Sequence, residues 1–100
     1  MNTASLDPAL QKNIVGIIAK YLDTREYHIV LFGSRAQGRG GDRSDIDIGI
    51  QGSQAIPLYV LPLIQEEIDA LPTLLTVQIV DFARATPLFR NVAQRTTVPL

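Results

Sequence analysis

The sequence predicts a small α/β (α+β) domain, a mixed β-sheet with its helices packed on one face. Three observations predict it. An apolar run at Ile29-Val30-Leu31-Phe32, inside a β-branched and aromatic stretch, reads as a buried strand. Ile46, Ile48 and Ile50 recur at the period of two that a half-buried strand requires. Leu10, Ile14, Ile17, Ile18, Tyr21 and Leu22 fall at helical spacing and form one apolar stripe.

Taken in order, the first helix runs from about Pro8 to Leu22. Asp7 can cap it, and Pro8 suits the first helical position. Tyr27 to Phe32 is the first strand. From Arg35 to Ser44 the glycines Gly38, Gly40 and Gly41 predict a short helical turn that opens into a loop. Asp45 to Ile50 is the second strand, and Gln51 to Gln54 a polar break. A helix follows from about Leu58 to Leu71, with Pro62 limiting or kinking its first turns. Ile64, Ile68 and Leu71 make its apolar stripe, while Glu66, Glu67 and Asp69 stay wet. Thr76 to Phe82 is the third strand, Pro87 to Gln94 a last short helix, and Thr96 to Leu100 a tail able to add an edge strand. The order is α-β-β-α-β-α. Residues 1–100 are expected to form a single domain without internal repeat or linker.

Composition narrows the function. An apolar content of 46% suits a globular core and excludes disorder. A net charge of −1 gives no electrostatic drive toward nucleic acid or an anionic membrane, so neither is expected as a direct partner. The absence of cysteine removes disulfides, thiolate nucleophiles and sulfur zinc sites, which fits a reducing cytoplasm. The start, MNTASLDPAL, has neither the basic nor the apolar region of a secretory signal. The longest apolar run, Ala55 to Ile64, contains Pro57 and Pro62 and falls well short of the roughly 20 residues that span a bilayer. A soluble, cytoplasmic protein is expected.

Chemistry concentrates in one stretch. Gly33-Ser34 is followed after ten residues by Asp45-Ile46-Asp47. Carboxylates two apart on a strand point to one side. Mg²⁺ takes oxygen ligands, commonly one or two carboxylates completed by phosphates and water. A D-x-D pair can serve two such ions about 3.5–4 Å apart. Gly33 lets backbone approach a phosphate closely, and Ser34 adds an N–H and a hydroxyl. Asp45 and Asp47 are therefore the candidate metal ligands, with Gly33 and Ser34 for a triphosphate. Arg35, Arg39 and Arg43 are spaced by four and could neutralise phosphate oxygens or keep the loop soluble; Arg35 is favoured because it adjoins the turn. His28 has no second ligand nearby and reads as structural. Tyr21, Tyr27 and Tyr59 read as packing residues, and Leu58 to Ile64 as core or as a partner surface.

Gly-Ser, ten residues, Asp-x-Asp resembles the signature of the minimal nucleotidyltransferases of the DNA polymerase beta-like superfamily, and the order of elements is similar over nearly the whole chain. The resemblance implies ATP as substrate and Mg²⁺ as cofactor. By position it assigns Gly33 and Ser34 to the triphosphate, and Asp45 and Asp47 to metal and catalysis. It also implies a heteromeric complex with a HEPN-domain protein. In such pairs, which are type VII-like toxin–antitoxin systems, the nucleotidyltransferase is the antitoxin and transfers AMP from ATP to a tyrosine of the HEPN ribonuclease. One departure stands out. The family usually carries a third metal-binding carboxylate on the third strand, and here that stretch reads Val77-Gln78-Ile79-Val80-Asp81. If Val77 and Ile79 face the core, Gln78 faces the site and Asp81 points away. A bulge would re-aim Asp81, and Gln78 can ligate through a neutral oxygen, so both stay open as third ligand. The alternative function is a weak or inactive relative that neutralises a HEPN partner by contact. Transfer to a small molecule would need a substrate domain for which 100 residues leave no room, and which a partner chain could supply.

Overall fold

Local chemistry starts the first helix. The Asp7 carboxylate accepts a hydrogen bond from Leu10 N at 3.0 Å, with Pro8 in the first turn, and α1 runs over Pro8–Tyr21. The computed structural model describes residues 6–38 and 45–100. Arg39, Gly40, Gly41 and Arg43, and the loop expected there, lie outside the described residues. After α1 come β1 (Tyr27–Phe32), the one-turn α2 (Gly33–Ala36), β2 (Ile46–Gly52), α3 (Val60–Asp69), β3 (Val77–Asp81), α4 (Pro87–Ala93) and β4 (Val98–Pro99). Pro62 falls in the first turn of α3, where a missing N–H costs no helical bond.

The strands form one sheet in the order β3-β2-β1-β4. β1 pairs antiparallel with both β2 and β4, so the C-terminal tail does supply an edge strand. β2 and β3 are parallel, and α3 makes the crossover that a parallel pair requires. On one face, Ile29, Leu31, Ile46, Ile48, Ile50, Val77 and Ile79 pack with Ile14 and Ile18 of α1 and Ile64 and Ile68 of α3. Polar ties hold the two helices together. Tyr21 Oη and Lys20 Nζ both donate to the Glu67 carboxylate. The bond to Glu67 raises the Tyr21 pKa, and the bond from Lys20, then that from Tyr21, lowers that of Glu67. Gln65 covers the β3 edge, its Nε2 donating to Val77 O at 2.8 Å and its Oε1 accepting from Ile79 N at 3.1 Å.

The opposite face is less open than the helix pattern suggested. Val30, Phe32 and Phe82 form a second small core with Val80 and Ala93, so α4 lies on the face away from α1 and α3. The reason is steric. Gly49 offers no side chain there, and the Phe82 ring occupies the space: a Cβ on Gly49 would stand 2.4 Å from Phe82 Cζ. Phe82 and Phe32 meet edge to face at 5.2 Å, and apolar rings on this face need cover. Among residues 58–64, Val60 and Ile64 are buried, whereas Leu58, Tyr59 and Leu63 are exposed. A surface helix has one inward stripe, so this stretch is core on one side only, and Tyr59 is not a packing residue. Among the described residues, no helix is long and apolar enough to cross a membrane.

Candidate functional site

Strand register assembles the site. Phe32, the last residue of β1, stands opposite Asp47 across the antiparallel pair, and Asp47 stands beside Gln78 across the parallel pair. The chain then turns at Gly33, whose φ of +78° lies in the left-handed region that disfavours a side chain. That turn brings the backbone onto the acid. A Cβ at Gly33 would sit 2.4 Å from Asp47 Oδ2. Any other residue here would be strained and would push the carboxylate away.

Asp45 precedes β2 and is exposed, while Asp47 within it is half-buried; between them Ile46 is fully buried in the core on the other face. Alternation along the strand thus puts both acids on the side away from α1 and α3. Burial raises the Asp47 pKa above its ordinary value, and the charge of Asp45 raises it further. Two carboxylates that repel each other beside a backbone cradle are a donor set suited to a hard dication. Among the described residues there is no group of three or more His, Cys, Asp or Glu that could hold a metal, and phosphates and water commonly complete the shell of a Mg²⁺ held by one or two carboxylates. Asp45 and Asp47 are the residues that fit Mg²⁺.

The other expected residues distribute unevenly. Ser34 is exposed in the first turn of α2, next to Gly33. Arg35 is different: it is 4% exposed and already has polar or electrostatic interactions. Its guanidinium is inside the protein, in the turn that follows Gly33. The single turn of α2 aims Arg35 and Ala36 inward and leaves Ser34 and Gln37 outside. Gln78 is exposed on the Asp47 side of the sheet.

Asp81 corrects the expectation that a bulge could bring it to the metal. β3 keeps an unbroken register with β2 from Val77 to Asp81, so Asp81 shares the face of Val77 and Ile79. It is 5% exposed, and its carboxylate is in use. Oδ2 accepts from Ile56 N at 2.8 Å and Arg84 Nη1 at 3.1 Å, and Oδ1 from Ala83 N at 3.0 Å. Arg84 also donates to Ile56 O. Asp81 is a structural clamp on the loop before α3. The bond to the N–H two residues on is an Asx-turn, a signal the Asp-Phe-Ala stretch already carried.

Sequence reasoning missed α4 as a neighbour of the bend. Phe89 meets Phe32 edge to face with ring centroids 6.0 Å apart, placing the helix beside Gly33. The available signal was an aromatic residue one turn after the Thr86-Pro87 start of a helix. Thr86 Oγ1 accepts from Phe89 N, capping α4 there.

Residues 12–99 match the family model described as polymerase beta, nucleotidyltransferase. No curated protein matches the chain. Among solved structures, the chain is similar to one in a toxin–antitoxin crystal structure with AMP-PNP, at 21% identity and a TM-score of 0.70, over 89% of this chain and 70% of that one. It is similar to one in the MntA–HepT toxin–antitoxin complex at 17% identity and a TM-score of 0.68, over 93% and 70%. A third likeness is to a structure of a tri-AMPylated Shewanella oneidensis HEPN toxin in complex with MNT antitoxin, at 17% identity and a TM-score of 0.67, over 91% and 68%. The structural likenesses bear out the mixed-sheet fold, and the family match over most of the sequence goes further: the chain belongs to the polymerase beta nucleotidyltransferase family.

Proposed function

We propose that this protein is a Mg²⁺-dependent nucleotidyltransferase acting in the cytoplasm as an antitoxin, and that it transfers AMP from ATP to a tyrosine of a HEPN-domain partner. The observation that carries the reading is the contact of the Gly33 bend with Asp47. It joins a backbone cradle to a carboxylate pair, which is what a metal-bound triphosphate needs. The fold likeness to toxin–antitoxin complexes, one of them holding an AMPylated HEPN toxin, supports the choice of partner and acceptor.

In this reading Asp45 and Asp47 hold the metal. Gly33 and Ser34 take the phosphates through backbone N–H groups and the Ser34 hydroxyl. Arg35, being buried, supports the bend from inside. Bound Mg²⁺ would supply charge neutralisation on the triphosphate. The acceptor hydroxyl oxygen attacks the α-phosphorus, the bond to the bridging oxygen breaks, pyrophosphate leaves with that electron pair, and the phenolic proton passes to solvent. The protein contributes alignment and fixed charge, the main work of phosphoryl-type transfer. The HEPN partner completes the enclosure of a face that α4 covers only in part.

A second reading is favoured by Gln78. It stands beside Asp47 where the resemblance leads one to expect a carboxylate, so catalysis is weakened and the protein neutralises its partner by contact. Incubation of the chain with its HEPN partner, Mg²⁺ and labelled ATP separates the two. A partner gaining the mass of AMP at a tyrosine supports transfer. Inhibition of the ribonuclease without added mass supports contact alone, and neither result would reject both.

A further inference from the structure

A cleft of about 190 Å³ opens beside the bend, lined by Phe32, Gly33, Gln37, Phe89, Val92 and Ala93. It has two aromatic rings, one amide and no charged side chain. Gly33 is a wall of this cleft and also lies against Asp47, so cleft and carboxylates are contiguous. Phe89 is held on two sides: its ring stands at 88° to that of Phe32, and its backbone N–H donates to the capping Thr86. It nevertheless remains 43% exposed, and neighbouring Val92 is 55% exposed. A fixed, half-bare aromatic ring beside a phosphate cradle is a platform awaiting a flat ligand.

The geometry points to this cleft as the seat of the nucleobase of the bound nucleoside triphosphate, with Phe89 as its stacking platform and a specificity-determining residue. The inference rests on the function proposed above, because the triphosphate at the bend is what tethers the base within reach. An uncharged, apolar slot suits a heterocycle and would reject the phosphates themselves, which divides the ligand between two adjoining surfaces. Gln37 ends the turn that Gly33 begins, its N–H donating to Gly33 O at 3.2 Å.

The full chain, titrated calorimetrically with Mg²⁺-ATP and with Mg²⁺-tripolyphosphate, tests this, because the second ligand carries phosphates without a base. Phe89→Ala is expected to weaken ATP roughly 5- to 100-fold, the range for losing one aromatic stack, and to leave tripolyphosphate within about twofold. Phe89→Leu keeps an apolar cover over Phe32 without a flat ring, and is expected to follow the same pattern. Tripolyphosphate binding also reports that each variant is folded. Equal losses for both ligands, no loss for either, or a wild-type chain that binds ATP no tighter than tripolyphosphate would overturn the assignment. A wild-type chain that binds neither ligand would overturn the nucleotidyltransferase reading itself, and this one with it.

Discussion

Gly33 and Asp47 are placed so that a Cβ on the first would meet Oδ2 of the second at 2.4 Å. Two requirements meet at Gly33, a φ of +78° and the absence of a side chain. Gly33→Ala violates both. The left-handed backbone alone costs an L-residue about 1–2 kcal/mol, and a domain of this size loses roughly 4–8 °C of Tm per kcal/mol. The larger effect is expected in function. A reactive group displaced by about 1 Å can lose 10²-fold in rate, so AMP transfer is expected to fall further than stability does. Calorimetric Tm and a transfer assay on one preparation check this; a stable variant with undiminished transfer would contradict it.

Gln78 lies beside Asp47 in register on the site face. Gln78→Asp would place a third negative oxygen donor there. A neutral amide oxygen ligates Mg²⁺ more weakly than a carboxylate, and the deficit bears on acceptor activation more than on the ion carried in with the triphosphate. The variant is therefore expected to raise AMP transfer severalfold while ATP affinity changes little. Initial rates at saturating ATP, set against affinities from titration, check the split. An unchanged rate would remove Gln78 as the weak point of the site.

Asp81 sorts the legible from the illegible. Strand alternation already pointed this acid away from Asp47, and the unbroken pairing with β2 agrees. What the sequence could not display is the demand on the other side: Ile56 N, 25 residues back, needs an acceptor where the chain enters α3. The same distinction runs through the molecule. Asp7, Pro8, the isoleucine alternation of β2 and the Gly-Ser bend act locally, so spacing reveals them. Arg35 and Phe89 depend on how α2 and α4 dock on the sheet: Thr86-Pro87 and the aromatic one turn later announce a helix, but not the surface on which it docks. The pairing of Gly49 with the Phe82 ring is also non-local, and it is what closes part of the face expected to be open.

Asp81→Ala follows from that demand. It removes the acceptor for two backbone N–H groups and for Arg84. Each buried donor left unsatisfied costs about 1–3 kcal/mol, so the variant is expected to lose about 2–5 kcal/mol of stability. Asp81→Asn, which keeps an acceptor oxygen, should lose less. Urea unfolding midpoints check the magnitude. Because Asp81 lies on the face opposite Asp47, the Mg²⁺ concentration for half-maximal transfer by folded Asp81→Asn is expected to match wild type. A large rise would restore Asp81 as a ligand.

Asp47 carries a pH signature whose sign differs from that of a salt-bridged acid. Burial and the Asp45 charge raise its pKa in the folded state above the ordinary carboxylate value. The native state therefore holds this proton more tightly than the unfolded chain does, and stability contributed by protonated Asp47 is lost as pH rises through the raised value. At neutral pH, without metal, the ionised group opposes folding. Asp47→Asn is expected to raise Tm there, with the advantage vanishing as pH falls to where the wild-type carboxyl is protonated. Mg²⁺ should reverse the order, because a ligand that binds the native state stabilises it, and only the wild type keeps both carboxylates. Thermal unfolding of both proteins across pH 3 to 8, with and without Mg²⁺, is the measurement. Equal Tm values at neutral pH without metal would show that neither burial nor Asp45 strains this group. A Mg²⁺ response equal in the two proteins would move the metal away from Asp47.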